Sequence, residues 1–390
     1  MYKVLTLNQI SVRGLDRFSR EDYELASEFT HPDAILLRSH KLSMDEIADT
    51  VQCIGRAGAG TNNIQVADCT ARGIPVFNAP GANANAVKEL VAAALLLGSR
   101  GIVEGISYVE SLKDMTDEAE LNRTLEAHKK QFKGSELTGK TLGVVGLGAI
   151  GSMVAEMALT MGMEVCGYDP ALSVEAAWRL SSRVKKVDAL ASLFSRCDYI
   201  TLHLPVLDST RGLINAELMQ NLKPGTCLVN FARQEIVDTD GLVEALDNGG
   251  LRRYIADFPA PGLMGRDDVI LMPHIGASTN EAEENCAIMA ADQIRDFLEN
   301  GNIRNSVNFP LTQLEPNGGV RLVISNENVP RVLGHLLSIL ADEDINICDM
   351  LNKSRDDIAY NLIDVEQIPS AEVLEQMRAV EGVINVRVIA

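Results

Sequence analysis

The stretch Thr141-Leu142-Gly143-Val144-Val145-Gly146-Leu147-Gly148-Ala149-Ile150-Gly151 runs from a short β-prone segment straight into glycines spaced G-x-G-x-x-G. A helical run, 152–161, continues from it. Each glycine has a physical reason. The first permits the tight turn, the second lets the backbone approach a diphosphate, and the third lets helix and strand pack closely. Freed N–H groups at the helix start, at Ala149 and Ile150, suit a negative group. The next apolar run, 164–169, ends on Asp169, 18 residues after Gly151. A carboxylate there accepts hydrogen bonds from both ribose hydroxyls of adenosine and repels a 2′-phosphate. The pattern therefore predicts a dinucleotide cofactor, NAD rather than NADP.

Working outward, short Val/Ile/Leu-rich runs recur at 141–146, 164–169, 199–204, 227–231, 254–257 and 269–272. A second series lies upstream at 3–7, 34–38, 52–57 and 75–77. Such runs alternating with helix-length segments predict an α/β protein with two doubly wound parallel-sheet domains. One long helix is predicted over 84–110, and the polar segment 113–139 is predicted to cross between domains. A helix from Asn280 to about Leu298 precedes a Pro/Asn/Gly-rich stretch, 309–319, predicted as an exposed boundary. The remainder reads strand 320–325, helix 329–342, strands 345–352 and 358–364, helix 370–380, strand 383–389. That βαββαβ order predicts a ferredoxin-like unit. The predicted domains are 1–97 with 281–312, then 98–280, then 319–390.

The chain has 390 residues, with 35 Lys and Arg against 54 Asp and Glu, a net charge of −19. That field repels phosphates and argues against nucleic-acid or anionic-membrane partners. An anionic small-molecule substrate would need local arginines to overcome it. The seven cysteines are odd in number and contain no C-x-x-C, so no disulfide framework or zinc site is expected. The start lacks a signal-peptide pattern, and the longest apolar stretch carries Lys88 and Glu89. A cytoplasmic protein is expected.

Two segments carry chemistry. Asn230-Phe231-Ala232-Arg233 and Pro273-His274-Ile275-Gly276-Ala277 each follow a predicted buried strand, where ligands gather in doubly wound sheets. Oxidising a 2-hydroxy acid needs a base near neutrality and a fixed cation for the carboxylate, roles that histidine and arginine fill. With these segments, Arg56-Ala57-Gly58-Ala59-Gly60, Asn78-Ala79-Pro80-Gly81 and His203-Leu204-Pro205, the chain resembles the D-isomer-specific 2-hydroxyacid dehydrogenases over nearly all of 34–310.

By that resemblance, His274 is the acid/base and Arg233 the substrate cation. His203, Pro205, Phe231, Ala232, Asp257, Gly276 and Ala277 join Gly146, Gly148, Ala149, Ile150, Gly151 and Asp169 around NAD. The resemblance assigns Arg38, Ser39, Arg56, Gly58 and Asn83 to the substrate, with a surface cation or turn asparagine as competing accounts. The family's Glu beside its histidine stands in Asp-Val-Phe-x-x-Glu-Pro. Here that stretch is the shorter Asp257-Phe258-Pro259-Ala260-Pro261, so Asp257, Asp267 or Asp268 is considered as a substitute.

The last unit looks like an amino-acid-sensing ACT domain, and this combination resembles the phosphoglycerate-oxidising members. It implies oxidation of 3-phospho-D-glycerate to 3-phosphohydroxypyruvate, the first step of serine synthesis, by a homo-oligomer (dimer or tetramer). Serine would then be an effector held by Asn326, Asn328 and Asn346, which turn capping would also explain. Glyoxylate/hydroxypyruvate or 2-oxoglutarate reduction, and a non-catalytic NAD-sensing role, are the alternatives.

Overall fold

The computed structural model describes residues 1–390, apart from the side chains of Glu175 and Arg179. Two units emerge, 1–83 with 280–390 and 84–279.

In the first unit, β1 (Tyr2–Leu7), β2 (Tyr23–Ala26), β3 (Ala34–Leu37), β4 (Cys53–Arg56) and β5 (Val76–Phe77) form a sheet ordered β2-β1-β3-β4-β5. All its pairings are parallel. Its centre is apolar on both faces, as parallel sheets require: Ile35, Leu36, Leu37 and Ile54 are fully buried. The helix Asn280–Asn300 covers one face through Ala290, Ala291 and Ile294. It lies so close at Gly55 that a Cβ there would stand 2.6 Å from Ile294 Cδ1.

In the second unit, β6 (Thr141–Val145), β7 (Glu164–Tyr168), β8 (Lys185–Lys186), β9 (Tyr199–Leu202), β10 (Thr226–Asn230), β11 (Leu251–Ala256) and β12 (Val269–Leu271) are ordered β12-β11-β10-β9-β6-β7-β8. Again every pairing is parallel. Chain order reverses between β6 and β9, which is where a doubly wound sheet opens a crevice for a ligand. The helices Ala84–Ser99 and Ala149–Thr160 share one core on this sheet, with Val91, Leu95, Val154 and Ala158 at its centre.

Three expectations are corrected here. The helix predicted over 84–110 breaks after Ser99 into Ala84–Ser99 and Ile102–Ser111, bent by 67° at Gly101. The first of these packs in the second unit, so the boundary lies at 83/84 rather than 97/98. The segment 113–139 does not leave that unit. It forms the helix Glu118–His128, whose first turn is capped by Asp117 Oδ1 accepting from the N–H groups of Ala119 and Glu120.

The C-terminal segment has the predicted ferredoxin-like order. β13 (Val320–Glu327), β14 (Ile347–Arg355), β15 (Ile358–Val365) and β16 (Val383–Ile389) form an antiparallel sheet ordered β14-β15-β13-β16. Helices Val332–Asp342 and Ala371–Arg378 cover one face through Leu336, Leu340, Val373 and Met377. The other face is covered at β13 and β15. Val323, Tyr360 and Leu362 share a core with Phe77, Phe297 and Phe309 of the same unit.

Polar groups lock that seam. Arg321 pairs with Asp364 through Nε at 2.6 Å and Nη2 at 2.8 Å. Arg321 also donates to the carbonyls of Asn300, Leu314 and Glu315. Tyr360 Oη donates to Gly301 O at 2.6 Å. Arg387 lies over the Phe297 ring, 4.4 Å from its centroid, and donates to Phe297 O. The stretch predicted as an exposed hinge is largely tied down. Phe309 and Thr312 are buried, and Thr312 exchanges backbone hydrogen bonds with Ile303. Only 315–319 is exposed throughout. Among the described residues no single helix is long and apolar enough to cross a membrane.

Candidate active site

The glycine turn forms at the C-terminal end of β6. Gly146 adopts φ 90°, and a Cβ on it would strike His203 O at 2.5 Å. A Cβ on Gly151 would lie 1.9 Å from Gly146 O, so the third glycine is what lets the helix Ala149–Thr160 start against the strand. Gly148 differs. Nothing lies within 4 Å of its added Cβ. That open space, next to the N-terminus of a 12-residue helix, is a seat for a diphosphate. Asp169, just past β7, folds onto the turn: Oδ2 accepts from Leu147 N–H at 2.9 Å and Oδ1 from Ala171 N–H at 2.9 Å. Each oxygen keeps a second lone pair for a ribose hydroxyl.

His203 follows β9, on the other side of the crevice. Its Nε2 meets Thr201 Oγ1 at 3.0 Å, while Nδ1 is buried without a hydrogen-bond partner. Burial pushes the ring from the ordinary 6.5 down to about 3, so it is neutral at physiological pH. An open glycine cradle, a reachable carboxylate and an unsatisfied imidazole nitrogen together fit a dinucleotide. Pro205 is exposed and Phe231 and Ala232 are buried, all at this same end of the sheet.

Arg233 follows β10, and its exposed guanidinium is turned so that Nη1 donates to Ala232 O at 2.6 Å. Asn230, the last residue of β10, is fully buried and holds the turn. Its Nδ2 donates to Arg233 O at 2.9 Å, and its Oδ1 accepts from Ala232 N–H at 3.1 Å. The sequence pattern alone does not reveal this role of Asn230. The available signal was an asparagine ending an apolar strand, where asparagine is disfavoured unless its side chain is used.

His274 follows β12 and is exposed. Between β10 and β12 stands β11, followed by Asp257. Arg233 and His274 therefore leave the same end of one parallel sheet, two strand spacings apart, about 10 Å. Asp257 is buried, and both its oxygens are used. Oδ1 accepts from Ile275 N–H at 2.8 Å and Oδ2 from Gly276 N–H at 2.6 Å. Asp267 and Asp268 do not serve as the substitute acid. They precede β12, at the opposite end of the sheet, and Asp268 is held by Arg266 through two bonds of 2.8 and 2.9 Å.

In the first unit, Arg38 Nη2 pairs with Glu283 at 2.6 Å, and Ser39 N–H donates to Asn8 Oδ1 at 3.1 Å. Arg56 Nε donates to Arg38 O at 3.0 Å, so the two arginines are neighbours. Gly58 is required beside them: at φ 156° its added Cβ would fall 1.8 Å from Arg56 Nη1. Asn83 is half-buried just before the helix Ala84–Ser99.

The three effector asparagines are not brought together within the chain. Asn326 is buried near one end of the sheet, opposite Ala359, and bonds Asn361 and Glu327 O. Asn328, at the same end, donates to Asp356 O at 3.0 Å. Asn346 sits at the other end, where it accepts from Glu366 N–H and donates to Glu366 Oε1. Six residues of strand, about 20 Å, separate the two groups.

Known proteins resemble this chain over most of its length. Residues 106–276 match the model of the D-isomer specific 2-hydroxyacid dehydrogenase NAD-binding domain. The chain is 34% identical to a D-3-phosphoglycerate dehydrogenase of Haemophilus influenzae, covering 98% of this chain and 93% of that protein. For the Escherichia coli K12 protein of the same name the identity is 32%, over 95% and 90%. An NAD+-bound 3-phosphoglycerate dehydrogenase structure from Entamoeba histolytica superposes with a TM-score of 0.60 at 28% identity, over 80% of this chain and 99% of that one. The cofactor is NAD, and the chain belongs to the D-isomer specific 2-hydroxyacid dehydrogenase family.

Proposed function

We propose that this chain oxidises 3-phospho-D-glycerate to 3-phosphohydroxypyruvate, the entry reaction of serine synthesis. What supports it is the full-length likeness to D-3-phosphoglycerate dehydrogenases, in a chain whose His274 and Arg233 leave the sheet at the same end as the glycine turn. NAD, when bound, would supply the acceptor for the hydride leaving C2. His274 takes the hydroxyl proton and releases it to solvent, which its exposure allows. Arg233 holds the carboxylate and the oxygen on C2 through its planar fork. Arg38 and Arg56 are the cations for the phosphate, supplying locally what the net charge of −19 opposes. Seven free thiols suit a reducing cytoplasm.

A homo-oligomer is part of this reading. Val103, Ile106 and Val109 expose an apolar stripe on the helix Ile102–Ser111, and β14 is a nine-residue edge strand. Serine regulation then belongs to paired chains, with Asn326 and Asn328 of one chain and Asn346 of another.

The test follows NADH absorbance with 3-phospho-D-glycerate, and in reverse with glyoxylate, hydroxypyruvate and 2-oxoglutarate, with and without millimolar serine. Turnover of phosphoglycerate, lost by about 100-fold or more in His274→Ala, is expected. Reduction of only the unphosphorylated acids would move the chain to the reductases. No turnover at all would make it an NAD-sensing protein. Unchanged rates with serine would remove the effector.

A further inference from the structure

We infer that His274 is aimed by Asp257 and Phe258, acting as positioning residues, instead of by a carboxylate bonded to its ring. The inference rests on the acid/base reading of His274. Its first observation is the backbone. His274 has φ 57°, a left-handed conformation that a non-glycine residue keeps only where its surroundings impose it. Asp257 imposes it. Its carbonyl accepts from His274 N–H at 3.0 Å, and its carboxylate takes the next two N–H groups, those of Ile275 and Gly276. Charge-assisted bonds to consecutive amides fix the turn that carries the imidazole. Gly276 allows the approach, since an added Cβ would lie 3.0 Å from Asp257 Oδ2.

The second observation is the ring. Phe258, the next residue along, packs its half-buried side chain against the imidazole, with centroids 5.0 Å apart and planes at 59°. That separation and tilt are those of a favourable aromatic pair. Among the described residues no side-chain carboxylate of the same unit bonds the imidazole: Asp257 is committed to amides, and Asp267 and Asp268 lie at the far end of the sheet. Backbone clamp and aromatic wall thus set the direction of Nε2, and small errors in that direction are costly to a proton transfer.

Asp257→Asn, Phe258→Ala and Phe258→Tyr test this. Asp257→Asn is expected to lower kcat about 100-fold with the KM for NAD unchanged, while the amides of Ile275 and Gly276 exchange faster. Phe258→Ala is expected to lower kcat about tenfold and to shift the imidazole proton resonances of His274, and Phe258→Tyr to restore both. Thermal unfolding of each variant separates misfolding from misplacement. A Phe258→Ala protein with wild-type kcat and unshifted resonances overturns the inference. So does an Asp257→Asn protein whose loss lies in the KM for NAD, because Asp257 is then a cofactor contact. Exchange and resonance shifts do not depend on turnover, so they decide the positioning even where the dehydrogenase reading fails.

Discussion

The glycine turn of the second unit and the docked face of the C-terminal sheet are both close-packed, but they are specified differently. At the turn, the residues that matter lie within six positions: Gly146 and Gly151 meet neighbours a few positions away or just past an adjacent strand, and Gly148 faces open space. At the docked face, Arg321 meets Asn300, Leu314, Glu315 and Asp364, and Tyr360 meets Gly301. The first kind of contact leaves a spacing in the sequence. The second leaves only isolated residue types. A spacing is therefore good evidence for a cofactor loop, and poor evidence for where one module ends and another begins.

The harshest way to break the comparison is to remove residues 319–390. A detachable module would leave an active remainder. Here Phe77, Phe297 and Phe309 would lose the cover of Val323, Tyr360 and Leu362, roughly 5 kcal/mol or more of burial, comparable to the stability of a whole domain. Loss of cooperative unfolding is expected, read by calorimetry. Next, Arg321→Met leaves Asp364 charged and unpaired in a buried seam and should cost about 3–5 kcal/mol in chemical denaturation. Adding Asp364→Leu should recover most of it. At the turn, Gly148→Ala adds a Cβ with no protein atom within 4 Å and should nearly preserve the unfolding midpoint. It should weaken NAD about 100-fold, or about 2.7 kcal/mol, by calorimetric titration.

The smallest effect is at His203. Its folded ring is depressed from 6.5 to about 3, so between those values the unfolded chain binds a proton that the folded chain refuses. Stability should therefore fall as pH drops below about 6.5, by at most about 1.4 kcal/mol per pH unit, and be unaffected well above it. Urea unfolding at several pH values should show that slope, and His203→Gln should flatten it.

Much of the fold is legible because buried parallel strands are short apolar runs. β6, β7, β9 and β10 lie where such runs stand. β2 and β8 are not legible: they are short edge strands, and Lys185-Lys186 has no apolar signal at all. The break after Ser99 is marked only by the flanking Gly98 and Gly101 within an otherwise continuous helical pattern. In the site, Asp169 ends a strand run, and Arg233 and His274 each follow one by two residues, which is what makes their placement readable. The grip of Asp257 on Ile275 and Gly276 could not, since it joins residues 18 and 19 apart across two strands.

The helix Asn280–Asn300 begins shortly after the histidine turn in sequence and extends about 31 Å to the carbonyls that Arg321 and Arg387 hold. A chimera that transplants a foreign C-terminal unit onto this chain must therefore bring a matching landing surface for that far end. Swapping the cassette alone would forfeit the scaffold beneath it.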